Sequence, residues 1–212
     1  RFWPQLAADI KNYPDIVDKH YPQLGSKIDK MDKKIDEILQ KANAGQDVDV
    51  LFISLIESVG KLIDEGYMNK TLSLLAEIES KAWDKLKDEG RYKLLRFKAL
   101  AQLNLRQNEE GARTFIEALK HGQTIDRAFS NAALGYLILK DNKNAESSAR
   151  KALEMDAENI RAYCVLIQIA SEEKLSSLIE NVPEKIKNHS EIAMAIARRG
   201  KINGEDVAEK WL

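Results

Sequence analysis

Residues 126–155 read DRAFSNAALGYLILKDNKNAESSARKALEM, and the order of large and small side chains in this stretch decides the fold. Phe129, Ala132, Ala133, Tyr136 and Leu137 recur at spacings of three and four, as do Ala145, Ala149, Ala152 and Leu153. That is the period of an amphipathic helix, written twice. Asp141-Asn142 interrupts it, so the stretch predicts two helices joined by a short turn, a helical hairpin. Moving back by 34 residues finds the pattern again in residues 92–121, YKLLRFKALAQLNLRQNEEGARTFIEALKH. Ala99 falls on Ala133, Leu100 on Leu134, Leu103 on Leu137 and Leu105 on Leu139. Asn108 falls on Asn142, Gly111 on Ala145, Ala118 on Ala152 and Leu119 on Leu153. Small residues meet small ones because two helices of one hairpin approach closely there, while large residues fill the space between hairpins.

This 34-residue helix–turn–helix pattern resembles the tetratricopeptide repeat. Phe129, Ala132, Ala133, Tyr136, Ala145 and the run Ala152-Leu153-Glu154-Met155-Asp156-Ala157 carry the match, and Leu95, Phe129 and Tyr163 take the large opening position in turn. Ala157 and Gln123 replace the common closing proline, and Ala99 and Ala133 replace the usual glycine of the first helix. The resemblance is clearest over 92–159 and degenerate over 48–89 and 160–193. It implies an all-α fold, a right-handed superhelix of helical hairpins, whose first helices line a concave groove.

Working outward, apolar positions predict helices at 48–65 and 68–88, with Asp47 as an N-cap and Gly66 and Gly90 as stops. Further helices are expected at 91–106, 109–121, 126–140, 143–155, 159–171, 173–181, 190–199 and 205–212, with Pro183 opening a short piece between them. The second helix of the hairpin at 48–89 is about six residues longer than the repeat allows. Residues 1–25 hold Pro4, Pro14 and Pro22 among Phe2, Trp3, Tyr13 and Tyr21, and read as a connector. Residues 26–45 form a polar helix with Ile28, Met31, Ile35, Ile38 and Ala42 at heptad spacing. Its readings stay open: a coiled-coil seam giving a homodimer through 26–42, or a helix laid on its own domain or serving as a stiff linker. Residues 47–212 then make one helical-repeat domain. The chain begins at Arg1, so a piece of a larger protein is expected.

Composition narrows the function. The 212 residues include 33 basic and 34 acidic side chains, a net charge of −1, which argues against a nucleic-acid binder. The longest apolar run, around Val50–Ile56, falls far short of the ~20 residues a membrane span needs. One cysteine, Cys164, suits a reducing compartment, and a cytoplasmic location is expected. His20, His121 and His189 lie far apart, no metal-ligand spacing or phosphate-cradling loop is present, and paired acids such as Glu109-Glu110 sit at helix starts where caps explain them. No enzyme chemistry, metal or cofactor is expected.

Function therefore points to the inner face implied by the resemblance. Lys93, Arg127 and Arg161 are each 34 residues apart, and Arg96 shares the face with Lys93. Leu100, Leu134 and Gln168 form a second column, and Asn104, Ile138 and Glu172 a third. The expectation is a protein–protein interaction scaffold holding a partner segment, acidic in character, along this basic and apolar strip. A simpler reading pairs each cation with a local acid such as Asp126 or Glu158. The repeat subclass that grips two carboxylates uses Lys and Asn at inner positions, and Leu100 and Leu134 stand where those asparagines would be. The alternative function is an assembly or sensing module of a larger protein whose chemistry lies elsewhere.

Overall fold

A computed structural model describes residues 22–202; the expectations for Trp3, His20, helix 205–212 and Trp211 lie outside the described residues. Every regular element among the described residues is helical. Helix α1 spans Pro22–Asn43, α2 Asp49–Asp64 and α3 Met68–Ala82. The repeat pairs follow as α4 Asp88–Asn104 with α5 Asn108–Leu119, then α6 Asp126–Ile138 with α7 Asn142–Met155. The chain continues through α8 Ile160–Ile169, α9 Glu172–Glu180, the single turn α10 Glu184–Lys187 and α11 Ser190–Ile202. Each of α2 to α7 packs on the next in sequence; α2 also packs on α4, α6 on α8, and α8 on α11. No described helix is long and apolar enough to cross a membrane.

Helix α1 starts at Pro22, four residues before the expected Ser26 and inside the span read as a connector. Proline suits this position, because the first turn of a helix needs no N–H from it and its fixed φ is already helical. The heptad seam is spent inside the chain. Ile28, Met31, Ile35 and Ile38 are buried in one cluster with Phe52, Leu55, Leu75 and Ile78 of α2 and α3. The seam residues cover the first hairpin, which is the reading of a helix laid on its own domain. Lys27 bonded to Glu65 and Lys81 to Asp36, at 3.3 Å, tie the helix at two further points.

The expected long helix over 68–88 is broken. Helix α3 ends at Ala82, a 3-10 turn covers Trp83–Lys85, and Leu86 is extended. Gly90 does not stop a helix; it lies buried in the first turn of α4. A Cβ there would sit 3.0 Å from Leu86 Cδ2 and 3.1 Å from Asp49 Oδ1, so the missing side chain serves close approach. Asp49, buried in α2, accepts a 2.9 Å hydrogen bond from the Lys87 N–H and so satisfies a donor at the start of α4. The six extra residues seen in sequence are this detour.

Four helices end in the same way. At Gly45, Gly66, Arg106 and Lys140 the backbone turns to positive φ (80°, 89°, 62° and 61°). At each, the next N–H reaches back to the carbonyl five residues earlier: Gln46 to Lys41, Tyr67 to Leu62, Gln107 to Gln102 and Asp141 to Tyr136, at 2.8–3.2 Å. This is the Schellman ending, which closes a helix and aims the chain back along it. The small positions of the repeat sit at the helix crossings. Ala99, Ala133 and Ala145 are fully buried, and a Cβ on Gly111 would lie 3.1 Å from the Ala99 carbonyl oxygen. The period fails in the last unit. Helix α8 has ten residues and ends on an extended Ala170, with no left-handed residue, and α9 to α11 gather a separate cluster around Ile167, Ile179 and Ile192.

Candidate binding face

Three helices of alternate order, α4, α6 and α8, present the side chains of interest. Tyr92 is buried in α4, and its hydroxyl oxygen accepts a 3.4 Å hydrogen bond from Asn131 Nδ2 of α6. Asn131, 1% exposed, accepts in turn from Arg161 Nη1 of α8. One amide therefore bridges two neighbours and links the three helices through polar groups. Burial draws the Arg161 guanidinium below the ordinary arginine range; Glu191 opposes the shift and Arg96 adds to it. Burial likewise raises the Tyr92 phenol, while Arg96, the Asn131 bond and Arg127 pull it down. Arg96 and Arg127 therefore lie within electrostatic reach of the same hydroxyl. The Arg96 guanidinium rests 4.9 Å from the Phe97 ring centroid, and Arg127 is exposed. Among the described residues neither guanidinium has an ion pair.

The basic column thus differs from its sequence reading. Lys93 leaves it, because its ammonium pairs with Glu57 of α2 at 2.7 Å and Glu89 at 3.0 Å, and the Glu57 hydrogen bond raises its pKa. Arg161 is half-buried, with its guanidinium turned onto Asn131. The local acids proposed as partners are used elsewhere: Asp126 accepts from Asn159 Nδ2 at 3.1 Å, and Glu158 pairs with Lys185 at 2.6 Å. The cationic set that the structure brings together is Arg96, Arg127 and Arg161. Leu100, Leu134, Ile138 and Gln168 are all half-buried, and Asn104 is exposed, turned back on the Leu100 carbonyl at 2.9 Å. Asn131 was passed over in sequence. It lies buried between α4 and α8, its amide taken up by Tyr92 and Arg161. Its signal was available, since a polar residue beside Ala132 and Ala133 on a buried helical face needs partners.

Other side chains of chemical interest are engaged in packing. His121 Nδ1 lies 2.8 Å from Asp88 Oδ1, and its ring meets Trp83 edge-on at 5.5 Å. Arg91 covers the same indole at 5.3 Å. His189 Nδ1 accepts from the Glu191 N–H at 3.3 Å. Among the described residues no group of three metal-ligating side chains is present. The Cys164 thiol is half-buried and pushed up to about 11, mainly by burial and further by Glu191, with Arg161 and Arg198 opposing. An open cleft of about 520 Å³ lies between α7 and α9 over Leu166, Ile169 and Leu178, where α9 fails to cover its neighbour. Arg150 at its rim is already paired with Glu146 at 2.7 Å.

Comparison of the chain with protein-family models, with curated proteins and with solved structures returned no match. The class defined by the described residues is an all-helical chain of helices packed in adjacent pairs.

Proposed function

We propose that this chain is a protein–protein interaction scaffold of the tetratricopeptide type, a superhelix of hairpins that holds an acidic partner segment along α4, α6 and α8. One observation carries the reading: Arg96, Arg127 and Arg161 share one electrostatic neighbourhood around Tyr92 and Asn131, with no carboxylate paired to any of them among the described residues. Asp126 and Glu191 act on this neighbourhood only through space, so the guanidinium groups have no directly paired carboxylate; such groups favour an incoming anion, and arginine matches a carboxylate with two parallel hydrogen bonds. The half-buried Leu100 and Leu134 supply apolar contact beside the charges. Neither catalysis nor a cofactor belongs to this reading.

The test is an affinity capture from a native extract, run in parallel with the wild-type chain and with Arg96→Gln, Arg127→Gln and Arg161→Gln combined. The combined variant is expected to lose specific partners and the salt sensitivity of their capture while keeping its helical circular dichroism. Identical partner sets with identical salt profiles would overturn the reading.

A further inference from the structure

The last unit lacks the long second helix that its predecessors have. Thirty-four residues on from α7, residues 176–189 would be its equivalent, yet they hold the end of α9, Pro183 and the single turn α10. Proline carries no N–H and clashes with the preceding turn, so one helix cannot run through that span. The place beside α7 is left as the open cleft of about 520 Å³. Leu166, 4% exposed, lies beneath it with the half-buried Ile169 and Leu178, while Glu146 and Arg150 of α7 and Ser177 and Asn181 of α9 form its sides.

The chain returns to this spot. Arg199 of α11 donates from Nη2 to the Ala170 carbonyl oxygen at 2.7 Å, and Ala170 lines the cleft. Arg199 stands three residues before the end of α11 at Ile202, so the next ten residues, NGEDVAEKWL at 203–212, leave the described structure beside the cleft. Five extended residues span up to about 17 Å, more than the ~10 Å width of one helix, so Val207 can reach across the end of α8. Val207, Ala208, Trp211 and Leu212 share one face at helical spacing. Glu205, Asp206 and Glu209 outnumber Lys210 on the rest of it. The cleft answers these charges: Lys174 is exposed at its rim and has no ion pair among the described residues, and Glu173 beside it suits Lys210.

We propose that residues 203–212 dock in this cleft, seating Val207, Trp211 and Leu212 over Leu166, Ile169 and Leu178 in the place of the missing second helix. The chain thereby covers its own last unit, and this holds independently of the binding face on α4, α6 and α8.

Short-range quenching of Trp211 in the full chain tests it. A nitroxide is attached at Ser177→Cys on α9 or, in a second variant, at Glu146→Cys on α7, each with Cys164→Ser so that one thiol is labelled. Ser80→Cys, exposed on α3, is the remote control. Trp211 emission is taken as the difference from a matched Trp211→Phe chain, which removes Trp3 and Trp83 from the signal. Both cleft labels are expected to remove most of the Trp211 emission and the Ser80 label none of it. Adding Val207→Ser and Leu212→Ser should restore the emission, because the apolar face is lost. Two labelled walls ensure that a label that blocks docking from one side leaves the other to report. Full emission with both cleft labels overturns the proposal. Quenching that grows with protein concentration would place the segment in the cleft of a second copy and also overturns it. Thermal melts of the labelled chains verify that each is folded.

Discussion

Arg106 and Lys140 hold the same left-handed backbone conformation, φ 62° and 61°, at equivalent places 34 residues apart. The earlier turns use Gly45 and Gly66 for that conformation, so two non-glycine residues carry strain where the fold elsewhere uses none. An L-residue in this region costs ~1–2 kcal/mol, partly offset by the extra freedom glycine has when unfolded. Arg106→Gly and Lys140→Gly are each expected to stabilise the chain by about 0.5–1 kcal/mol. Urea unfolding monitored by circular dichroism measures this; unchanged or lowered midpoints for both would show that the turns are not strained.

Helices α5 and α6 touch backbone to backbone at Gly135, where a Cβ would sit 2.6 Å from the Ala112 carbonyl oxygen. Backbone cannot swing aside as a side chain can. Gly135→Ala is expected to cost about 1–3 kcal/mol, and so is Ala133→Leu, which overfills a fully buried site on the same helix. A melting temperature untouched by either change would contradict the packing described.

Asp49 serves a helix that is not its own, accepting from the Lys87 N–H at 2.9 Å where α4 begins. Asp49→Ala leaves that donor and its buried surroundings without an acceptor. The expected loss is about 1–2 kcal/mol, with Asp49→Asn closer to the wild type because an amide oxygen still accepts. Equal stability of the Ala and Asn variants would dismiss the capping role.

Cys164 should be a sluggish thiol. With its pKa raised to about 11 by burial, the thiolate is scarce at pH 8 and grows only as the pH climbs toward that value. Because the thiolate is the reactive form, alkylation at pH 8 is expected to run about a hundredfold slower than for an unhindered cysteine. Labelling by iodoacetamide, followed by mass spectrometry against pH, reads this out; a rate equal to that of free cysteine would place the thiol in solvent.

The helical class and the hairpins were legible because periodicity records burial directly. Ala99, Ala133 and Ala145 announced the crossings by their size, and the shift of 34 located them. Gly90 misled because glycine ends helices and also permits close approach, and only the position of Leu86 and Asp49 tells which. The heptad in α1 left two kinds of reading open for a related reason: an apolar seam states that a helix will be covered, not by what, and the helix lies on its own chain. The column of Lys93, Arg127 and Arg161 was found by spacing alone, which fixes where a Cα lies but not where a long side chain goes. Glu57 on α2 draws Lys93 aside, and Asn131 draws Arg161 inward, both through contacts more than 29 residues apart in sequence.

The cover that α1 provides has a bearing on how the molecule can be divided. Four buried side chains of one helix, joined to the rest through the exposed turn 44–47, complete the first hairpin from outside it. A cut in that turn would separate two pieces that each display half of one apolar surface. Such halves are disposed to recombine, so a peptide of residues 22–45 added to the remainder would act as a complementing fragment. The first hairpin would then report, through its own recovery of structure, that the missing piece had returned.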